Sequence, residues 1–550
     1  MTAAPARRPA APYQSTAGPG KDGFLQLLHA EWTKFRTVRG WPVGMLVTVL
    51  VMTGIAAFVT AGGPQSSCQA VGGGPTRTSC GPNVNLGPGG EPVTDNFYFA
   101  RQSLDGDGSL TVRVTSLTGL LPPSGQSFTN PTRPGLMPWS KAGIIIKSNV
   151  TPGSAYAAMM VTGGNGVRMQ WNFTGDTAGL PGSVSAASPR WLRLTRDGDT
   201  ITGYDSADGV HWVTVGAVRL AGLPSTVQAG LFAASPNLPP RAVNIAGVPQ
   251  GGEGQWTAAV GAFDRLSRTG AWSSGGLSGG GSSGGWAGGY LGGDDNALQY
   301  GIGAVHQVAG GLTVSGTGDL APSIPGQDTG GGPAPATVTL GLIGTFLGLI
   351  AVAVVAALFM TAEYRRGLIR TTLAASPRRG RVVAAKALVA GAVAFVAGLL
   401  GAVGAIAVTT SMEHSRGAQL FPTPAPAELR IVVGTAALTA VVAVLTVAVA
   451  VLTRRGVAAV TIAIAAIVAP YFLAAVVILP VGVSDWLMRV TPAAAFAVQQ
   501  AVPRYAQVTA YYAPVDGYYP LAPWAGLAVL CGWAVAALAG AVYLLRRRDA

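Results

Sequence analysis

The 550-residue chain has 36 basic and 23 acidic side chains, a formal charge of +13, which raises nucleic acid as a partner until the placement of the charge is read. Residues 63–335 hold 14 basic and 15 acidic residues, so nearly all the excess lies beside long apolar runs, where it marks membrane topology and excludes a nucleic-acid-binding face. Three cysteines exclude a disulfide framework and a cysteine-built metal site, and no metal or other cofactor is expected.

Residues 1–40 read as a cytoplasmic N-terminal segment. Within it, GFLQLLHAEWTKFRTVRGW predicts a helix lying in the inner membrane interface through Leu25, Leu27, Leu28, Trp32 and Phe35, with Trp41 as an aromatic anchor. The first span is 41–62. The charged lead of about 40 residues is too long for a secretory signal, so the span is read as retained. Cys68 and Cys80, in a linker over 63–94, are placed to form one disulfide on the oxidising side.

Residues 95–249 carry short β-type segments, among them LTVRVTSL, AGIIIKSN, YAAMMVTG, VRMQWNF and VQAGLFAAS, which predict an all-β, two-sheet antiparallel sandwich. In WLRLTR, Trp191, Leu192 and Leu194 compete for the core while Arg193 and Arg196 take the wet face. Glycines in DGD (197–199) and ADG (207–209) mark tight hairpins. Asp105 and Asp107 in DGDGS read as another hairpin turn, with calcium ligation the other reading. Trp171, Trp191 and Trp212 are candidates for stacking on sugar rings, against a bland role as core aromatics. No strand offers the pair of glutamates that glycoside cleavage needs, and the Asn-Phe-Thr at Asn172 is read as a chance triplet. The run from Trp191 to Trp212, followed by GLFAAS at 230–235, resembles the concanavalin-like, laminin-G-like domains. That resemblance implies a jelly-roll fold and, more weakly, carbohydrate binding.

Residues 250–335 are Gly/Ser-rich linker with embedded alternation around ALQYGIGAVHQVAGG that predicts extra strands. His306 there stands without a second ligand. From 336 to 545 the chain holds five further spans, at 336–361, 387–411, 429–452, 457–480 and 523–545. Arginines and lysines crowd the N-terminal segment, the loop 362–386, Arg454 and Arg455, and the tail 546–550, which places all four in the cytoplasm and 63–335 outside the cell. This predicts a multi-pass plasma-membrane protein, and its Ala, Gly and Arg usage suits an actinobacterial source.

The loop TAEYRRGLIRTTLAASPRRGRVVAAK presents Glu363, then Arg365, Arg366 and Gly367, then Pro377, Arg378 and Arg379, and ends on Lys386. This order resembles the ABC-2-type permeases, in which an acidic residue, an Arg-Gly pair, a small-Pro turn and a basic residue opening the next helix recur. The resemblance implies a six-helix subunit that dimerises with itself or a paired permease, and a loop that seats it on an ABC ATPase subunit. DWLMRVTPAAAFAVQQAVPRY resembles the outer interfacial helices of the same family, whereas the insert after the first span departs from its pattern. No G-x-x-x-x-G-K-[ST] occurs, so ATP hydrolysis belongs to a partner chain and the subunit itself is no enzyme. The expected function is therefore the permease subunit of an ATP-driven exporter, in contact with lipid, with carbohydrate a further partner for the sandwich. The rival is a membrane-anchored glycan-binding or sensor protein, for which one span would suffice.

Overall fold

The computed structural model describes residues 23–62, 69–70, 78–79, 85–123, 133–238, 243–245, 248–250, 255–273, 286–292, 303–308, 310–324, 337–365, 367, 378–416, 420–475, 479, 481–508, 514 and 517–547. Cys68, Cys80, Arg366 and Pro377 lie outside them.

Helix α1 (Phe24–Thr37) precedes α2 (Gly40–Ala61). After the β region, a 3-10 turn at Leu340–Gly344 leads into α3 (Thr345–Arg365), followed by α4 (Arg379–Ser415), α5 (Ala425–Thr453) and α6 (Gly456–Ala475). Helix α7 (Val481–Val490), a buried 3-10 turn (Pro492–Gln499) and α8 (Pro523–Arg547) complete the helical half. Among the described residues six helices are long and apolar enough to cross a membrane, namely α2, the Leu340–Tyr364 segment, α4, α5, α6 and α8. Their Ala, Val and Leu runs satisfy every backbone group internally, as hydrocarbon demands.

Burial separates the helices by position. The apolar window of α5 is 72% buried and that of α8 only 17%, so α5 is the central post and α8 needs lipid or another subunit on its outer side. Small residues permit close approach: a Cβ on Gly526 of α8 would lie 2.1 Å from the Ala494 carbonyl oxygen, so the 3-10 turn PAAAFAVQ packs directly on that helix backbone. Inside this half, Gln499 Nε2 donates to Thr345 Oγ1 and Thr435 Oγ1, both at 3.2 Å. Those bonds satisfy a buried amide that would otherwise cost free energy.

The β region is built on one long strand, β1 (Pro92–Leu121). With β2 (Lys141–Lys147), β3 (Tyr156–Thr162), β4 (Val167–Trp171), β5 (Gly175–Ala178), β6 (Arg190–Asp197), β7 (Thr200–Ser206), β8 (Val213–Arg219) and β9 (Thr226–Ala234), it forms the order β8-β7-β6-β1-β9-β2-β3-β4-β5. Strand β10 (Ala258–Ser273) adds to β1 and to β13 (Gly311–Gly316), which also pairs β12 (Ala304–Val308). Strands β11 (Ala287–Leu291) and β14 (Asp319–Pro322) pair the first half of β1. Every pairing among the described residues is antiparallel. The sheet folds over at β1, so that β6–β8 face β2–β4 across a core of Leu110, Val112, Leu192, Leu194, Ile144 and Met159.

The expected hairpin at DGDGS is corrected here. The strand runs through Asp105 and Asp107, pairing with β9 before them and with β6 after. Gly106 takes φ +63 and donates its N–H to the Ser225 carbonyl at 2.9 Å, so the Asp-Gly repeat bends the strand without reversing it. Asn172 is likewise engaged, its Oδ1 accepting from the Tyr156 N–H at 3.2 Å.

A second core on the far side of β2–β3 gathers Phe97, Ile145, Tyr156, Phe173 and Phe232. Two lysines of β2 are fully buried in the sandwich. Lys147 Nζ lies 2.8 Å from Asp95 Oδ2 and over the Tyr156 and Phe173 rings, and Lys141 Nζ lies 2.6 Å from Asp319 Oδ1. Burial depresses the Lys147 amine and raises the Asp95 carboxyl, each opposed by the other's charge. The sandwich meets the helical half at Gln507, whose Nε2 donates to the Phe173 carbonyl at 3.0 Å.

Candidate functional site

The sequence HAEWTKF spaces Glu31 and Lys34 one turn apart on α1, with Phe35 beside them. Phe35 is buried and meets Phe359 of α3 edge to face at 5.4 Å, and Trp41 meets the same ring at 5.0 Å. This aromatic trio presses α1 onto the C-terminal end of α3. One turn beyond Phe359, α3 presents Glu363, and the second turn of α4 presents Lys386.

These elements bring four charges into one cluster. Lys386 Nζ lies 2.7 Å from Glu31 Oε2 and 2.9 Å from Glu363 Oε1, and 4.5 Å from the centre of the Phe359 ring. Lys34 Nζ lies 2.8 Å from Glu31 Oε1 and 3.0 Å from Glu363 Oε1. Each carboxylate is thus shared by two ammonium groups and the cluster is neutral. Glu31, Glu363 and Lys386 are buried, and only Lys34, with 42% of its side chain exposed, opens it to water. Burial would lower the Lys34 amine, but the hydrogen bonds and charges of Glu31 and Glu363 outweigh it and hold the amine above the ordinary lysine value. Among the described residues Glu363 Oε2 has no hydrogen-bond partner, which leaves one acceptor unfilled at the edge of the loop.

The neighbouring basic residues fasten the same corner. Arg379 donates to the Leu545 carbonyl at 2.7 Å, tying the start of α4 to the last turns of α8. Arg454, at the C-terminal end of α5, lies 6.0 Å from the Tyr364 ring. Arg378 is exposed just before α4, Arg365 closes α3, and Gly367 is exposed with φ +68. Of the residues expected to form the site, the structure therefore brings Glu363 and Lys386 together, with Arg379 beside another helix end. Glu31 escaped the sequence reading, and Lys34 entered it only as a topology charge. The available signal was a lone acid, one turn before a lysine, on an otherwise basic helix.

The three tryptophans divide between the layers. Trp171 ends β4 and packs over Gly175, where a Cβ would lie 2.2 Å from the indole. Trp191 and Trp212 lie at the β6–β8 layer, each with a guanidinium on its ring: Arg193 stands 3.8 Å from Trp212, and Arg113 and Arg265 stand 5.7 and 5.9 Å from Trp191. The paired hydrogen bonds from Arg113 hold the Asp264 carboxyl below the usual range.

Six apolar helices among the described residues, a buried charge cluster binding two of them and α1 together at one end, and a large β-sandwich between the first two spans define a polytopic membrane protein. Residues 198–550 match the family described as ABC-2 family transporter protein, and the chain belongs to that family of multi-pass membrane transport components. The match begins within the sandwich, so α1 and α2 precede it. No curated protein sequence matches the chain. Among solved structures, a functionally unknown protein from Saccharomyces cerevisiae is similar at 14% identity and TM-score 0.18, over 32% of this chain and 75% of that one. Scytalido-glutamic peptidase with a transition state analog inhibitor is similar at 10% identity and TM-score 0.23, over 41% of this chain and 98% of that one. Neither likeness bears on function at these scores.

Proposed function

We propose that the chain is the permease subunit of an ATP-driven exporter, worked by an ABC ATPase on a separate polypeptide and paired with a second permease copy. The observation that carries this reading is the Glu31–Lys34–Glu363–Lys386 cluster. It joins the interfacial helix to both helices that flank the loop 362–386, so a push on that loop reaches α1, α3 and α4 together. Glu363, Arg365, Arg366, Gly367, Pro377, Arg378, Arg379 and Lys386 form the seat for the ATPase in this reading. The basic flanks orient that seat to the cytoplasm and residues 63–335 to the outside, where the sandwich is of the concanavalin-like kind. The thinly buried helices α2, α6 and α8 offer the surface for lipid and the second copy.

The test is purification of the full chain from its native membrane, with vanadate-sensitive ATPase activity measured in the eluate. Wild type is expected to carry the activity. Reversing the exposed loop charge by Arg378→Glu is expected to lower it roughly tenfold while the chain stays folded. Absence of ATPase from wild type, or full retention by the variant and by Glu363→Gln, overturns the reading.

A further inference from the structure

Alternation along β6 and β1 sends Leu192, Leu194, Leu110 and Val112 into the core, so the intervening residues form the opposite face of that layer. Register fixes what that face contains. Trp191 lies beside Arg113, and Arg113 beside Asp264 of β10. One step along, Tyr204, Arg193, Thr111 and Ser267 stand side by side on β7, β6, β1 and β10. The next row is Thr202, Thr195, Ser109 and Thr269, all hydroxyl-bearing. Four neighbouring strands therefore show hydroxyls, guanidiniums and aromatic rings, and no aliphatic side chain, along these rows.

Charge on this face is one-sided. Asp264 is occupied by Arg113 through Nε at 2.7 Å and a second guanidinium nitrogen at 2.5 Å. Arg193 gives one hydrogen bond to Thr111 Oγ1 at 3.0 Å while stacked on Trp212, which leaves its positive charge without an opposing carboxylate in these rows. Arg265 is exposed and has φ +50 where β10 slips register between Asp264 and Ser267. A bulge that holds a non-glycine residue in the left-handed region re-aims its side chain, and here the guanidinium is carried to the Trp191 ring. Beside the bulge lies a hollow of about 210 Å³ lined by Asp264, Arg265, Phe263, Trp286 and Gln307.

We infer that this face binds an acidic glycan, a chain of sugar rings bearing carboxylates. Aromatic rings suit the apolar faces of sugars, the hydroxyl rows suit sugar hydroxyls, and the planar guanidinium forks of Arg193 and Arg265 suit carboxylates. The hollow at Asp264 and Arg265 takes one ring or substituent at the end of the row. This proposal stands apart from the coupling seat, since no residue of it belongs to the helical half.

The full chain in detergent micelles is titrated with a galacturonate hexamer, with a neutral maltose-series hexamer and with inorganic polyphosphate, following tryptophan fluorescence and calorimetry. The expected result is saturable binding of the galacturonate that weakens as salt rises from about 50 to about 200 mM, with the neutral sugar and polyphosphate each at least tenfold weaker. Arg193→Gln with Arg265→Gln is expected to lose at least tenfold in affinity while the β signal in circular dichroism is retained, and Arg193→Lys to fall between. Equal binding of the neutral sugar refutes the charge argument, equal binding of polyphosphate refutes the sugar argument, and no binding or an unaffected double variant removes the site.

Discussion

Replacing Lys386 by Met tests the logic of the buried cluster. The side chain is 1% exposed, contacts both Glu31 and Glu363 and lies against Phe359. Met keeps much of the packing, but the substitution leaves two buried carboxylates sharing one half-exposed lysine. Removing one partner of a buried ion pair costs about 3–5 kcal/mol, and because Lys34 still reaches both carboxylates the lower end applies, about 3 kcal/mol. The assay is the thermal midpoint of the purified chain in micelles, compared with Arg378→Gln as an exposed control. The decisive partner is the double variant Lys386→Met with Glu363→Gln. Neutralising the stranded carboxylate should return part of the loss, so the double variant should be more stable than Lys386→Met alone. Additive losses in the double variant, or a Lys386→Met midpoint equal to the control, would refute the argument.

Two further outcomes follow from the same geometry. The Lys34 amine is held above its ordinary value in the folded chain, so its contribution is complete below the unfolded value of 10.5 and is lost only as pH rises through the folded one. Fluorescence of Trp32 and Trp41 should therefore report loosening of α1 above that value, and Lys34→Gln should remove that alkaline transition. Gly209→Ala should cost the sandwich about 1–3 kcal/mol, because φ is +79 there and a Cβ would lie 2.6 Å from the Trp191 ring. Circular dichroism melting of the β signal measures it.

The six spans were legible because hydrocarbon imposes a length and a composition that no soluble helix needs. The sandwich was legible through Gly198 and Gly209, both at positive φ, and through alternation, but in WLRLTR the faces were read wrongly at two places: Arg196 is buried on the side of Leu192 and Leu194, and Trp191 shares the opposite face with Arg193. DGDGS was misread for a physical reason: Asp-Gly favours a turn and a bulge alike, and the choice was made by β9 and β6, strands distant in sequence that pair the two halves of β1. The buried lysines of KAGIIIK carry no local mark of burial either, since the carboxylates that permit it are Asp95 and Asp319, 52 and 178 residues away. The charge cluster divides in the same way. Glu363 and Lys386 could be read from one loop, whereas Glu31 joins Lys386 across 355 residues, and such a pairing is a product of helix packing.

Gln507 has a mechanical meaning. It is 3% exposed and holds the turn between β4 and β5 from the connection that leads into α8, whereas the polypeptide itself joins the sandwich only to α2 and α3. The inserted unit is thus braced by a third strut that covalent continuity does not provide. The sandwich is thereby held by a residue that follows the 3-10 turn packed on α8, and the far end of α8 is tied to the start of α4 by the Arg379 hydrogen bond to the Leu545 carbonyl.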